Sequence, residues 1–399
     1  MGADFLKHAN FLKHMDWLNA RRVTVYLRLF AAVNIAMLIW LVATSHGGID
    51  TNGYLLGSDF ISFWTTGHML VDHGNPYDGA AHIAAQRSYY SAEGAYTAFY
   101  YPPPFLLFCW PLGWLPYFPA LGLWLVTTGT LFLASVRRWW RSAGTGVPLL
   151  LLFAAFPAIP IVITHGQTAF LVAGLLGLGA WLVPTRPWTA GVLFGLATIK
   201  PQFGLLLPLV LLATGQRRVI ASAAATAIAL ALVAALVFGS QSWIDWLGAS
   251  ERAQAAMALG QIGYGKMMSP FAALRLLGAP MSASYAVQGV VSLAVAALVL
   301  MASWRRTWTM PLAALTLAGA PLATPYVLDY DMAILAFPML WLAGEGLRNG
   351  FRDWERCALF AAFAAPALAR PLALQFGVPI MPLVEILLFA VVWRRARMA

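Results

Sequence analysis

The chain has 399 residues, 61% of them hydrophobic and 10% charged, with a formal net charge of +10. With a mean hydropathy of +0.73 and only 15 acidic side chains, it lacks the polar surface to coat a soluble globule of its size. A nucleic-acid partner, the usual reading of so basic a chain, is excluded by the way the charge is spread.

Arginines recur in short clusters between apolar runs: Arg21/Arg22, Arg137/Arg138/Arg141, Arg217/Arg218, Arg305/Arg306, Arg348/Arg352/Arg356 and Arg394/Arg395/Arg397. That is the pattern of the positive-inside rule, and it predicts an all-α polytopic integral membrane protein. The first apolar run, Val23 to Thr44, is long enough to cross a hydrocarbon core of roughly 30 Å. It reads as a retained signal anchor, since Ala43-Thr44-Ser45 makes a poor cleavage site. Placing the arginine clusters in the cytoplasm gives apolar spans near 23–44, 117–137, 147–164, 167–183, 187–199, 202–214, 219–238, 284–303, 309–323, 332–347, 357–373 and 380–393. Both termini are then cytoplasmic, and 1–399 reads as a single integral membrane domain. The proline-broken segment 102–116 is too short to count as a crossing and is expected to be a kinked or re-entrant entry to the second span. Cys109 and Cys357 show no ligand spacing and read as packing residues.

This topology leaves two long external loops, 45–101 and 239–266, and loops of that length usually carry function. In "SDFISFW", Ser58 is expected to cap a helix with Asp59 in its first turn, where the dipole favours the ionised carboxylate. The apolar residues that follow at 3.6-residue spacing make the helix interfacial, with Phe60, Phe63 and Trp64 holding it at the membrane surface. Asp59 is then either an ionised base at an apolar boundary or simply a complement to the helix end. Asn75-Pro76-Tyr77-Asp78 reads as a turn. His165-Gly166-Gln167 joins two spans, as a polar ligand site or as a capped hairpin. Lys200, in "ATIKPQ", is a cation with no acidic neighbour in sequence; it either meets an anionic ligand such as a phosphate or snorkels to the headgroups. In "PYVLDYD", Asp329 and Asp331 offer acceptor hydrogen bonds or local turn structure. No hydrolase elbow, zinc, Walker or Cys-x-x-Cys motif is present, so neither metal nor cofactor is indicated.

Five pieces in order, "SDFISFWTTGHMLVDHGNPYD", "FYYPPPFLLFCWPLGWLP", "HGQTAFLVAGLLGLG", "ATIKPQFGLLLPLVLL" and "PYVLDYDMAILAFPML", resemble glycosyltransferase family 87. The resemblance implies a GT-C-type fold of about 12 transmembrane helices, in the plasma (inner) membrane, transferring mannose from a polyprenyl-phosphate donor to a glycolipid or glycan at the external face. It gives the role of base to Asp59 and aligns Lys200 with the family's lysine-proline motif. Relatives carry a histidine where this chain has Leu328, so that role is open here or passes to His165. Lys200, Arg252, Lys266 and Arg275 are the expected contacts to the donor phosphate. Trp64, Tyr101, His165, Gln167, Gln202, Tyr326, Asp329 and Asp331 are the expected substrate contacts. The alternative from another class is a transporter or flippase of lipid-linked sugars.

Overall fold

A computed structural model describes residues 11–89, 96–261 and 263–398. These residues form helices and turns, with isolated β-bridges and no strand. Five helices are long and apolar enough to cross a membrane: α1 (Ala20–Ala43), α4 (Tyr117–Ala143), α10 (Arg217–Phe238), α13 (Met281–Ser303) and α16 (Glu355–Phe376). Shorter apolar helices lie among them, including α7 (Ala169–Leu182), α8 (Pro187–Leu196), α9 (Leu207–Ala213) and α14 (Met310–Gly319). The described residues thus mix long apolar helices with short and broken ones.

The breaks have local causes. The span expected over 147–164 divides into α5 (Leu149–Ala155) and α6 (Ala158–His165). Pro157 has no N–H to give and pushes Phe156 out of the helical region, to ψ 115°. Asn34 of α1 then satisfies carbonyls at the break, its amide reaching Ala154 O at 2.9 Å and Ala155 O at 3.0 Å. Of the short elements, α7 is the most enclosed, buried along almost its whole length between α4, α8 and the segment that leads into α15 (Ala336–Asn349). Phe170 of α7 stacks on Phe132 of α4 at 5.3 Å, and Phe132 meets Phe337 of α15 at 5.9 Å.

The segment 102–116 coils into three short helical turns, Pro103–Phe105, Leu106–Cys109 and Trp110–Trp114, consistent with the kinked entry expected for it. It lies against α2 (Phe60–Val71) so closely that a Cβ on Gly67 would stand 2.3 Å from Cys109 O. That contact overturns the surface-anchored reading of α2. Phe60 through Gly67 are all buried in protein, and Phe60, Phe63 and Trp64 pack on Tyr117, Phe105 and Trp124 instead of facing lipid.

The two expected external loops meet. Loop 45–101 contributes α2 and α3 (Gly79–Tyr89), and loop 239–266 is largely the single helix α11 (Gln241–Ala258). Asn75 donates to Asp245 at 2.9 Å, Trp246 to Tyr100 O at 3.1 Å and Arg252 to Tyr77 O at 2.7 Å. Asn75-Pro76-Tyr77-Asp78 is the expected turn, closed by Tyr77 N to Asn75 Oδ1 at 3.0 Å. Asp78 then caps α3 by accepting from Ala80 and Ala81.

Arginines of the two C-terminal clusters and their acidic partners gather at one end of the bundle. Arg356 pairs with Asp16, Lys13 with Asp353 at 3.1 Å, and Arg395 of α17 (Met381–Ala396) with the buried Glu355 at 3.0 Å.

Candidate active site

At the other end, the chain brings together residues from Asp59 to Arg370, more than three hundred positions apart in sequence. α6 ends at His165 because Gly166 takes the left-handed conformation, φ +65°. A side chain there would also strike Phe60, whose Cβ lies 2.6 Å from the position of a Cβ. The turn aims Gln167 at Asp59. Thr168 N–H, which can only donate, bonds Gln167 Oε1 at 3.0 Å, and the Tyr101 hydroxyl donates to the same oxygen at 3.1 Å. The amide nitrogen is left to donate to Asp59 Oδ2 at 2.9 Å.

Asp59 does not sit where its sequence context suggested. It occupies the N-cap position of α2 itself, with helical backbone, and its carboxylate makes no capping bond. Ser58 lies outside the helix, its carbonyl accepting from the Thr97 hydroxyl at 3.0 Å. Asp59 Oδ2 is held by Gln167, and Oδ1 carries no hydrogen bond among the described residues.

The carboxylates of the Asp-x-Asp segment are each divided between two partners. Asp331 accepts from Leu328 N through Oδ2 at 3.2 Å and from Lys200 Nζ through Oδ1 at 2.8 Å. Asp329 accepts from Tyr330 N through Oδ1 at 2.9 Å and from Arg370 through Oδ2 at 3.2 Å. One oxygen of each carboxylate builds the turn and the other neutralises a cation, which is the local-structure reading of this motif. Between them, Tyr330 lies in the fields of Asp59, Asp329 and Asp331, with Lys200 Nζ 4.8 Å from its ring.

His165 joins the cluster in a defined tautomer. Its Nδ1–H donates to Ile161 O at 2.8 Å, since a carbonyl only accepts, and Nε2 accepts from Arg370 Nη1 at 3.1 Å, since a guanidinium only donates. In this arrangement the ring is neutral and its basic nitrogen is engaged. His165 therefore packs beside Leu328's segment, 6.2 Å from the Tyr330 ring, through Arg370 and without a free lone pair.

A family model for glycosyltransferase family 87 matches residues 99–325, more than half of the chain. The chain belongs to glycosyltransferase family 87. The matched stretch contains His165, Gln167 and Lys200 and stops short of Asp329. Comparison with curated proteins and with solved structures gave no match. The family and the apolar helices make this a membrane-embedded glycosyltransferase, a class that acts on lipid and sugar substrates and does not favour the flippase alternative.

Within the transferase, the expected site residues divide. Asp59, Tyr101, His165, Gln167, Lys200, Asp329 and Asp331 converge. The anion that Lys200 requires is supplied from within the chain: Lys200 and Asp331 side chains are 6% and 3% exposed, so the expectation of an external phosphate at Lys200 loses its premise. Arg252 is committed to the Tyr77 carbonyl, and Arg275 to Tyr264 and the Ala279 carbonyl; both hold loops in place. Lys266 is exposed, and its side chain has no partner among the described residues. Trp64 is buried, its indole N–H spent on Leu115 O at 2.8 Å. Tyr326 packs in a separate apolar cluster with Met257, Met267 and Phe271, and Gln202 is half-buried outside the hydrogen-bonded cluster.

The residue that sequence reasoning missed is Arg370 of α16. A cation inside the apolar stretch "ALARPL" is the same signal that singled out Lys200. Its side chain is 29% exposed. Nη1 makes both of its bonds, to Asp329 and His165, and the rest of the guanidinium is unbonded among the described residues. Three carboxylates face two cations in this cluster, and Asp59 is the carboxylate without one.

Proposed function

We propose that this transferase is an inverting hexosyltransferase that moves mannose from a polyprenyl-phosphate sugar to a hydroxyl of a glycolipid or glycan acceptor at the external face of the plasma membrane. The acceptor oxygen attacks the anomeric carbon, its proton passes to Asp59, and the bond to the phosphate oxygen breaks with the polyprenyl phosphate leaving as an anion. Because that leaving group departs without a proton, no second carboxyl acid is needed, in contrast to glycoside hydrolysis. The donor is already activated, so the scheme calls on neither metal nor cofactor.

The observation that carries this reading is the state of Asp59. Asp329 and Asp331 are each tied to a cation, whereas Asp59 is fixed by one neutral amide and keeps Oδ1 open. A base needs a lone pair within about 3 Å of the proton it takes, and this carboxylate has one. The charge that develops on the departing phosphate calls for a positioned cation. Arg370, partly exposed and with a donor fork not yet used, suits that task better than Lys200, which serves as a strut for the Asp-x-Asp turn.

The test is transfer by purified protein in detergent, with polyprenyl-phosphate mannose and a membrane glycolipid extract. Asp59→Asn is expected to bind donor and to form product about 10^2- to 10^4-fold more slowly. Undiminished transfer by that variant would remove Asp59 from the mechanism, and a product carrying a different hexose would reassign the donor.

A further inference from the structure

Tyr330, in the middle of the Asp-x-Asp segment, has a fixed ring and an unused hydroxyl. Its N–H is held by Asp329 Oδ1 at 2.9 Å, Lys200 Nζ stands 4.8 Å from the ring centre, and the His165 ring lies 6.2 Å away. The residue is 5% exposed. Its hydroxyl nonetheless makes no hydrogen bond among the described residues. Unlike Ser62 Oγ and Thr65 Oγ1, which are sealed in protein without a partner, this oxygen keeps some accessible surface. An unpaired hydroxyl in so buried a residue costs free energy, and a rigid apolar body with an open polar tip is how a pocket orients a polar ligand.

The fold sets Tyr330 between the base and the cation. On one side, Asp59 N–H donates to the His165 carbonyl at 3.0 Å, and it is the His165 ring that neighbours Tyr330. On the other, Arg370 bonds both Asp329, the residue before Tyr330, and that same imidazole. In the proposed reaction the anomeric carbon passes from a phosphate oxygen near Arg370 to an acceptor oxygen beside Asp59, so the hexose occupies the interval that Tyr330 borders. The phenol is a donor there. Burial, with Asp331, Asp59 and Asp329 nearby, holds it well above its usual pKa of 10, and it keeps its proton. Asp329 and Asp331 have committed both oxygens, and Asp59 Oδ1 is taken up by the acceptor's proton. A sugar hydroxyl is the group left for Tyr330 to meet.

We propose that Tyr330 is a substrate-binding residue whose hydroxyl donates a hydrogen bond to one hydroxyl of the transferred hexose. This rests on the transferase reading with Asp59 as base and adds a contact to it. Hexoses differ by the configuration of single hydroxyls, so a fixed donor aimed at one of them contributes to which sugar is transferred. Proton transfer stays with Asp59.

The test pairs the protein hydroxyl with each sugar hydroxyl in turn. Full-length protein and its Tyr330→Phe variant, which loses one oxygen and keeps the ring beside Lys200, are assayed in detergent with the polyprenyl-phosphate hexose that the parent transfers. Donors deoxygenated singly at C2, C3, C4 or C6 are assayed alongside. With the intact donor, Tyr330→Phe should lower kcat/KM about fivefold, the effect of one neutral hydrogen bond, with the parent's pH profile and unfolding midpoint. At one sugar position, deoxygenation should cost the parent about fivefold more than it costs the variant; at the other positions the two proteins should lose equally. Equal losses at every position would overturn the proposal while leaving Asp59→Asn slow and the transferase reading intact. A loss of about 10^2-fold or more in Tyr330→Phe with a displaced pH profile would make Tyr330 the base and overturn both. A parent protein that transfers no hexose would remove the transferase reading and this contact with it.

Discussion

The two ends of the bundle use the same buried charges to opposite effect. At one end Glu355 and Arg395 are fully matched: both carboxylate oxygens meet Arg395 Nη1, at 3.1 and 3.0 Å, Arg352 N–H adds a third bond at 2.9 Å, and the guanidinium also reaches the Gly350 and Glu345 carbonyls. Nothing there is left to react. At the other end Lys200–Asp331 and Arg370–Asp329 are built on the same plan, but a third carboxylate, Asp59, stands beside them with a neutral partner. Buried ion pairs by themselves mark structure, and their net contribution to stability is small because desolvation offsets attraction. On the proposed mechanism, function lies with the group that the pairing omits.

The sharpest way to break this comparison is to neutralise one carboxylate at each end. Asp59→Asn should lower turnover by about 10^2- to 10^4-fold, the usual share of a general base, and leave the thermal unfolding midpoint in detergent nearly unchanged. Glu355→Gln should do the reverse: it strands Arg395 in a buried site, at a cost of about 3–5 kcal/mol, seen as early unfolding of a protein whose folded fraction still turns over. If Asp59→Asn unfolds as readily as Glu355→Gln, Asp59 is another structural charge.

Lys200 asks which end a pair at the active site resembles. Lys200→Met leaves Asp331 uncompensated and should destabilise by about 3–5 kcal/mol, whereas Lys200→Met/Asp331→Asn should recover most of that loss. A double variant that folds and transfers sugar makes the pair a strut, as Glu355–Arg395 is. One that folds but is inactive gives Lys200 a direct part in the chemistry.

A smaller effect comes from the support behind Asp59. His82 of α3 is fully buried; its Nε2 lies 3.2 Å from the Thr66 hydroxyl, and its Nδ1 takes a bond from Gln86, which also holds Thr97. Burial lowers its pKa from 6.5 to about 4. The folded protein therefore binds fewer protons than the unfolded chain between those values, and stability falls as pH drops from 6.5 toward 4. At 1.36 kcal/mol per pH unit the loss reaches roughly 3 kcal/mol. Limited proteolysis should show the region around α3 opening across that interval, and His82→Gln should flatten the dependence.

Much of this was legible in the sequence because it follows from local rules. Composition and charge spacing placed the chain in a membrane; Gly166 and Asn75-Pro76 announced their turns; Asp59, Lys200, His165 and the Asp-x-Asp pair stood out as polar groups in apolar surroundings. What was not legible was pairing. Lys200 and Asp331 are 131 positions apart and His165 and Arg370 are 205, and no local pattern shows that each cation already has its anion. The burial of α2 was hidden for a related reason: an amphipathic stripe reports that a face will be covered, and it was the approach of Gly67 to Gly113 that decided protein over lipid as the cover.

Arg370 gives the finest test, because it belongs to both patterns at once. Its Nη1 acts as Arg395 does, bridging Asp329 and His165, while the unused side of the fork is what a departing phosphate would require. Arg370→Lys separates the two functions: an ammonium has three donors and can keep both internal bonds, but it cannot present a planar bidentate face. We expect an unfolding midpoint close to that of the parent and kcat/KM lowered about tenfold, equivalent to about 1.4 kcal/mol of transition-state stabilisation, with His165 held neutral as before. If the lysine variant unfolds early and its folded fraction transfers sugar at the parental rate, Arg370 is one more strut, and the charge on the phosphate must be met by another group.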